Sequence, residues 1–168
     1  KQEVTVKNFI DGDTTHFYLP SGAAVEHAKS NVLKARYLAV NTPESTGKIE
    51  EWGKAASNFT KEKLSSATSI ILETDGSNWE VDSTGERHLV WVWYKTSEDA
   101  EYRNLNLELL QNGLAVGSKA SDSRYGDMAV AAIAQATKEK LYVFSDAKDP
   151  DYPYGEAHSI TLKELRTN

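Results

Sequence analysis

A chain of 168 residues, 39% hydrophobic and 26% charged, is one domain's worth and has the composition of an ordinary globular protein, not of a disordered one. Zero cysteines exclude disulfides, thiolate metal sites and cysteine nucleophiles, and leave the redox compartment open. The net charge of −6, from 19 basic and 25 acidic residues, weighs against a nucleic-acid partner, because phosphate binding is driven largely by lysine and arginine.

In chain order, residues 4–10 begin with alternating apolar and polar side chains and predict a half-buried strand. Asp11-Gly12 supplies a turn, and residues 14–19 return as a second strand. Pro20-Ser21-Gly22 breaks the pattern. Residues 23–29 then predict one or two helical turns before a third strand over 32–40. Residues 50–66 read as the first clear helix, with Trp52, Ala55, Ala56, Phe59 and Leu64 as its apolar stripe. Strands follow over 69–73 and 87–94, the second carrying Trp91 and Trp93 on one face as core or tail contacts. After an acidic loop over 96–101, a second helix spans 105–111 and stops at Asn112-Gly113. A third, alanine-rich helix covers 127–140. Five strands with three helices interleaved and following predict a small mixed barrel, not a parallel α/β sheet. From Asp149 the chain reads as a loop-like tail closed by a short helix over 161–166.

Two segments carry chemistry: the turn Asp11-Gly12-Asp13-Thr14 and the run Arg36-Tyr37-Leu38-Ala39-Val40-Asn41-Thr42-Pro43-Glu44. Together they offer an arginine, a pair of oxygen ligands and a spare carboxylate, a set suited to holding a hard cation and hydrolysing a phosphate ester. Each residue also has an ordinary reading. Asp13 is a solvated turn residue, Thr42 the extended residue before a proline, and Glu44 an exposed carboxylate after a strand. Arg36 and Arg87 pair with surface carboxylates on that reading. Other constellations fail: His16, His27, His88 and His158 lack paired zinc spacing, and no nucleophile elbow or Walker lysine loop occurs. Asp149-Pro150-Asp151 with Gly155 does not match an EF-hand loop.

The order of these segments, followed by Glu51-Trp52-Gly53-Lys54-Ala55-Ala56, Asp82-Ser83-Thr84-Gly85-Glu86-Arg87-His88-Leu89, Asn112-Gly113-Leu114-Ala115 and Lys138-Glu139-Lys140-Leu141, resembles the thermonuclease, or staphylococcal-nuclease-like, family from about residue 4 to about residue 145. The resemblance implies an α+β, mainly β fold: a five-stranded OB-fold barrel with three helices. It implies a nuclease domain over residues 1–147 and a C-terminal extension, 148–168, packing on it. By the same resemblance Asp13, Asn41 and the carbonyl of Thr42 are calcium ligands, Glu44 is the general base, and Arg36 and Arg87 flank the phosphate. The implied activity is calcium-dependent hydrolysis of DNA or RNA to 3′-phosphate ends, by a monomer. The start at Lys1, without methionine, fits removal of a signal peptide and a secreted or cell-surface location. No apolar run approaches the roughly 18 residues of a membrane span.

Departures from the family pattern bear on activity. Asn41 stands where the family keeps an aspartate, and one residue, Glu86, separates Gly85 from Arg87. Ser83 and Thr84 replace the usual basic residue before the glycine, and Lys119 and Ser121 replace the base-stacking aromatics after Gly-Leu-Ala. Arg124 and Tyr125 are the remaining candidates for phosphate and base contacts. Two alternatives stay open: an OB-fold module that binds nucleic acid with weak or no cleavage, and an acidic interaction domain of a larger surface protein.

Overall fold

The computed structural model describes residues 1–154. Its centre is a closed barrel of five strands, β1 (Gln2–Asp11), β2 (Thr14–Tyr18), β3 (Val32–Tyr37), β5 (Ser69–Glu73) and β6 (His88–Lys95). Strand β4 (Val40–Asn41) follows β3 and belongs to a separate pair described below. The long β1 makes closure possible by pairing with two partners: its first residues, Gln2 to Val4, face Leu72 to Ile70 of β5, and its later residues face β2. Two register shifts, between Val6 and Asn8 and between Phe9 and Asp11, bend it from one sheet face to the next. The barrel shuts where β3 runs parallel to β6, with Arg36 opposite Leu89. This is the OB-fold architecture, α+β and mainly β, with three helices around it.

Inward-facing Phe17, Leu33, Leu72, Val90 and Val92 are fully buried. Such side chains contribute roughly 1.5–3 kcal/mol each on burial. A short β7 (Arg103–Asn104) extends β6 and leads into α2 (Leu105–Gln111), whose Leu105, Leu109 and Leu110 close one end of the core. Asn106 is buried there with both its side-chain polar atoms bonded. Its Oδ1 accepts from the amide of Val92, and its Nδ2 donates to the carbonyls of Leu38 and Val90. That one side chain ties α2 to β6 and to the turn after β3. Helix α2 ends as the Asn-Gly pair predicts: Gly113 is left-handed (φ 69), Leu114 bonds back to Leu109 and Gly113 to Leu110. The two-residue β8 (Val116–Gly117) then pairs with β4.

Helix α1 (Gly53–Ser65) lays Gly53, Ala56, Thr60 and Leu64 against the barrel. It begins at Gly53, not at residue 50, because Trp52 adopts a left-handed conformation, φ 67 and ψ 4. Helix α3 (Gly126–Lys138) stops short of residue 140, which is itself left-handed (φ 53). Trp91 and Trp93 share the outer face of β6, where the ring of Tyr125 meets both edge-on, at 5.0 and 5.6 Å between centroids.

Two sequence expectations fail. Residues 23–29 form no helix; isolated turns close from Ala23 to Pro20 and from Ala28 to Val25, and His27 is left-handed. The third strand does not run unbroken to residue 40, because Ala39 turns left-handed (φ 69) and β4 pairs separately with β8. The short helix expected over 161–166 lies outside the described residues. No helix among the described residues is long and apolar enough to cross a membrane.

Candidate active site

The β1–β2 turn is tight for a packing reason. A Cβ on Gly12 would stand 2.9 Å from Cβ of Ala56 and 3.0 Å from Thr42, so glycine lets the turn lie directly on α1. The hydroxyl of Thr60 anchors it there by donating to the Gly12 carbonyl at 2.6 Å. This contact fixes Asp11 and Asp13 on either side of the glycine.

Asp13 is buried and fully engaged. Its Oδ2 accepts from the amide of Thr42 at 3.0 Å and faces Nη2 of Arg36 at 3.3 Å, while Oδ1 accepts from the Thr14 hydroxyl at 3.0 Å. Nη1 of Arg36 donates to the carbonyls of Tyr37 and Val40, both at 2.9 Å. The break in strand β3 thus has a cause: the chain curls around the guanidinium and offers it carbonyls from both sides of the turn. A guanidinium has five N–H donors, and the bonds from Nη1 leave Nε without a protein acceptor among the described residues. The structure therefore joins Asp13, Arg36 and Thr42 through one ion pair and one hydrogen bond.

Glu44 is exposed and begins a loop closed by reciprocal bonds: its amide donates to Oε1 of Glu50, and the amide of Glu50 donates to its carbonyl. Partial desolvation pushes the Glu44 carboxyl up from its ordinary range, helped by the like charges of Asp11, Asp13 and Glu50. Gly53 packs against this loop so closely that a Cβ would lie 2.0 Å from the Glu44 carbonyl oxygen. Asp11 is the residue that sequence reasoning missed, having read it only as a turn former. Its Oδ1 accepts from the amide and hydroxyl of Ser45, at 3.1 and 2.5 Å, and so holds the segment next to Glu44. The one available signal was the doubled aspartate of Asp11-Gly12-Asp13.

Arg87 stands just before β6. Its Nε donates to Oδ2 of Asp82 at 2.7 Å. The amide of Asp82 donates to the Arg87 carbonyl and that of Gly85 to Asp82, so the extra residue lengthens the turn and leaves β6 in register with β3. Burial pushes the Asp82 carboxyl up, but the Thr84 hydroxyl and the Arg87 guanidinium and amide outweigh it and hold it at about 2. Arg36 and Arg87 line one groove of about 420 Å³, together with Lys119 and with Asp75, Asp82 and Asp122.

Other candidates stand elsewhere. Asn41 is exposed on β4 and lines a neighbouring groove of about 450 Å³ with Thr42, Pro43, Lys48 and Tyr152. Arg124 and Tyr125 do not line the arginine groove. Arg124 Nη1 donates to Oε2 of Glu73 at 2.8 Å and the Tyr125 hydroxyl to Oε1 at 2.7 Å, alongside the Trp93 indole. Their side chains fasten the start of α3 to the end of β5. Burial and the Glu73 carboxylate push the Tyr125 hydroxyl up to about 12.

The carboxylates of Asp11, Asp13 and Glu44 suit a hard cation in kind, and their crowding is what a further positive charge would relieve. The buried Oγ1 of Thr42 has no hydrogen-bond partner among the described residues. Among those residues no three Asp, Glu or His side chains form a closed metal cage, so any cation held here keeps neutral and solvent ligands. A family model described as staphylococcal nuclease homologue matches residues 34–146. The match covers Arg36, Asn41, Thr42, Glu44 and Arg87; Asp11 and Asp13 precede it and reach the site through the turn on α1.

Proposed function

The chain belongs to the staphylococcal nuclease homologue family, and from that premise we propose that it is a calcium-dependent nuclease that hydrolyses phosphodiester bonds of DNA or RNA and leaves 3′-phosphate ends. The observation that carries the reading is the bond from the Thr42 amide to Asp13, which joins the turn, Arg36 and the Thr-Pro-Glu segment into one rigid unit.

On this reading the phosphate seats in the arginine groove. Arg36 and Arg87 donate to its non-bridging oxygens, and the bonds tighten as the five-coordinate transition state gathers negative charge there. Glu44 accepts the proton of the attacking water, and its raised pKa brings it nearer the working pH of a general base. The in-line attack expels the 5′ oxygen. Asp13 and the Thr42 carbonyl, with Asn41 beside them, are the groups that would hold calcium. When bound, calcium supplies the local positive charge that steadies the anionic phosphate and relieves the repulsion among Asp11, Asp13 and Glu44.

The test is cleavage of single-stranded and duplex DNA and of RNA in excess chelator, then in graded calcium or magnesium. Cleavage should vanish in chelator and return better with calcium, which accepts an irregular oxygen shell that magnesium does not. Full activity in chelator overturns the metal dependence. A second reading, a barrel that binds nucleic acid without cutting, draws on the neutral Asn41 and on an Asp13 already bonded to Thr42, Thr14 and Arg36. Binding without turnover at any calcium concentration would select it.

A further inference from the structure

Asp149 lies beyond the family match, yet its side chain is buried. Its Oδ2 accepts from the amide of Trp52 at 2.6 Å, and its Oδ1 accepts from the amide of Asp151 at 2.9 Å. Trp52 precedes α1 in a left-handed conformation and cannot cap the helix with its own side chain. Its amide would therefore lack a partner in a buried setting without the distant carboxylate. Two more contacts cross the same helix start: the Tyr154 hydroxyl donates to Glu51, and Asp151 faces Lys54 at 3.9 Å.

The next residue after Trp52 is Gly53, whose amide donates to the Glu50 carbonyl and whose α-carbon abuts the Glu44 carbonyl. Glu50 in turn exchanges two hydrogen bonds with Glu44. The path from Asp149 to Glu44 thus runs from its carboxylate to the Trp52 amide, through Gly53 against the loop, and through the loop to Glu44. We propose that Asp149 is a positioning residue for Glu44, and that residues 149–154 are a strap holding the start of α1 against the Glu44 loop. The kinetic consequence rests on the nuclease reading; the mechanical link does not.

The test compares Asp149→Ala, Asp149→Asn and the control Asp146→Ala in the 168-residue chain; the Asp146 carboxylate is exposed three residues earlier. Melting temperatures come first, and kinetics are then measured in calcium well below the lowest of them. Asp149→Ala should lower kcat by about tenfold to a hundredfold, as small misplacements of a reacting group do, with KM unchanged because the arginine groove is untouched. Asp149→Asn keeps one acceptor oxygen and should recover part of the loss; Asp146→Ala should match the parent. Wild-type kcat in Asp149→Ala overturns the proposal, and so does a loss shared equally by kcat and KM. If the parent protein itself does not cut, the nuclease reading falls and amide exchange decides the strap alone. The Glu44 and Glu50 amides should then exchange faster in Asp149→Ala than in Asp146→Ala, and equal protection overturns it.

Discussion

Arg36 and Glu44 perform different tasks although both sit at one end of the barrel. The guanidinium is held by Asp13 and two carbonyls, so it is preorganised and needs no rearrangement as charge grows on the phosphate. Arg36→Ala and Glu44→Gln should each cut kcat by about a hundredfold or more, with much smaller effects on binding, since both act mainly on the transition state. Near-normal rates with weaker binding would move the protein to the binding-module reading. Asn41 poses the complementary question. Asn41→Asp adds a carboxylate beside Thr42, and calcium affinity follows the number of charged ligands. The variant should reach half-maximal activity at lower calcium, a tenfold shift corresponding to about 1.4 kcal/mol. Without metal it should melt earlier, through repulsion with Asp13 and Glu44, and gain more on adding calcium. An unchanged calcium midpoint in both activity and melting would place residue 41 outside the ion's reach, in keeping with the neighbouring groove that it lines.

At the scale of elements, Gly53 decides whether α1 can meet the Glu44 loop. Helix propensity alone favours alanine over glycine by about 1 kcal/mol. The Cβ would overlap a backbone oxygen, which cannot swing aside as a side-chain tip does. Close approach should win: Gly53→Ala is expected to destabilise the fold by about 1–3 kcal/mol and to lower kcat by moving Glu44. A variant that melts higher and keeps full kcat would show that the contact relaxes freely. The same locality explains what the sequence made legible. Residues 69–73 and 105–111 were readable to the residue because local signals mark them: an apolar run rich in isoleucine, and an Asn-Gly stop. Residues 23–29 have helix-forming composition, yet Pro20 and the left-handed His27 break them into turns, and His88 ties that loop to β6 through the Glu26 carbonyl. Ala39 carries no mark of its left-handed turn, which the wrapping of carbonyls around Arg36 imposes. In the site, Asp13, Arg36 and Thr42 were legible from motif order. The role of Asp11 was not, because a turn former and a loop anchor are the same letter. The bond between Asp149 and Trp52 spans 97 residues and leaves no local trace at all.

For the whole molecule the open tension is a net charge of −6 on a protein proposed to bind a polyanion. The fold eases it only in part. Arg36, Arg87 and Lys119 gather in one groove, but Asp75, Asp82 and Asp122 line it too, and Asp82 is paired with Arg87. Two of these carboxylates are already hydrogen-bonded to the protein, Asp75 by the Trp91 indole and the Arg124 amide, Asp82 by Arg87 and Thr84. Few phosphates can therefore be neutralised at once. Each phosphate contact to a single strand contributes about −0.7 to the slope of log affinity against log salt. Three groove cations limit the slope to about −2 for a single-stranded oligonucleotide, and the offset of Arg87 by Asp82 brings it to about −1.4. The measurement is equilibrium binding by the Glu44→Gln protein in calcium, which should consume substrate far more slowly than the parent, across a range of salt. A slope near zero would mean that phosphates are not what the groove recognises, and would favour the acidic interaction domain. A slope several times steeper would require a basic surface that the described residues do not gather in this groove. A shallow slope with retained cleavage would describe a nuclease that selects substrate at the scissile phosphate and does not clamp a long stretch of backbone.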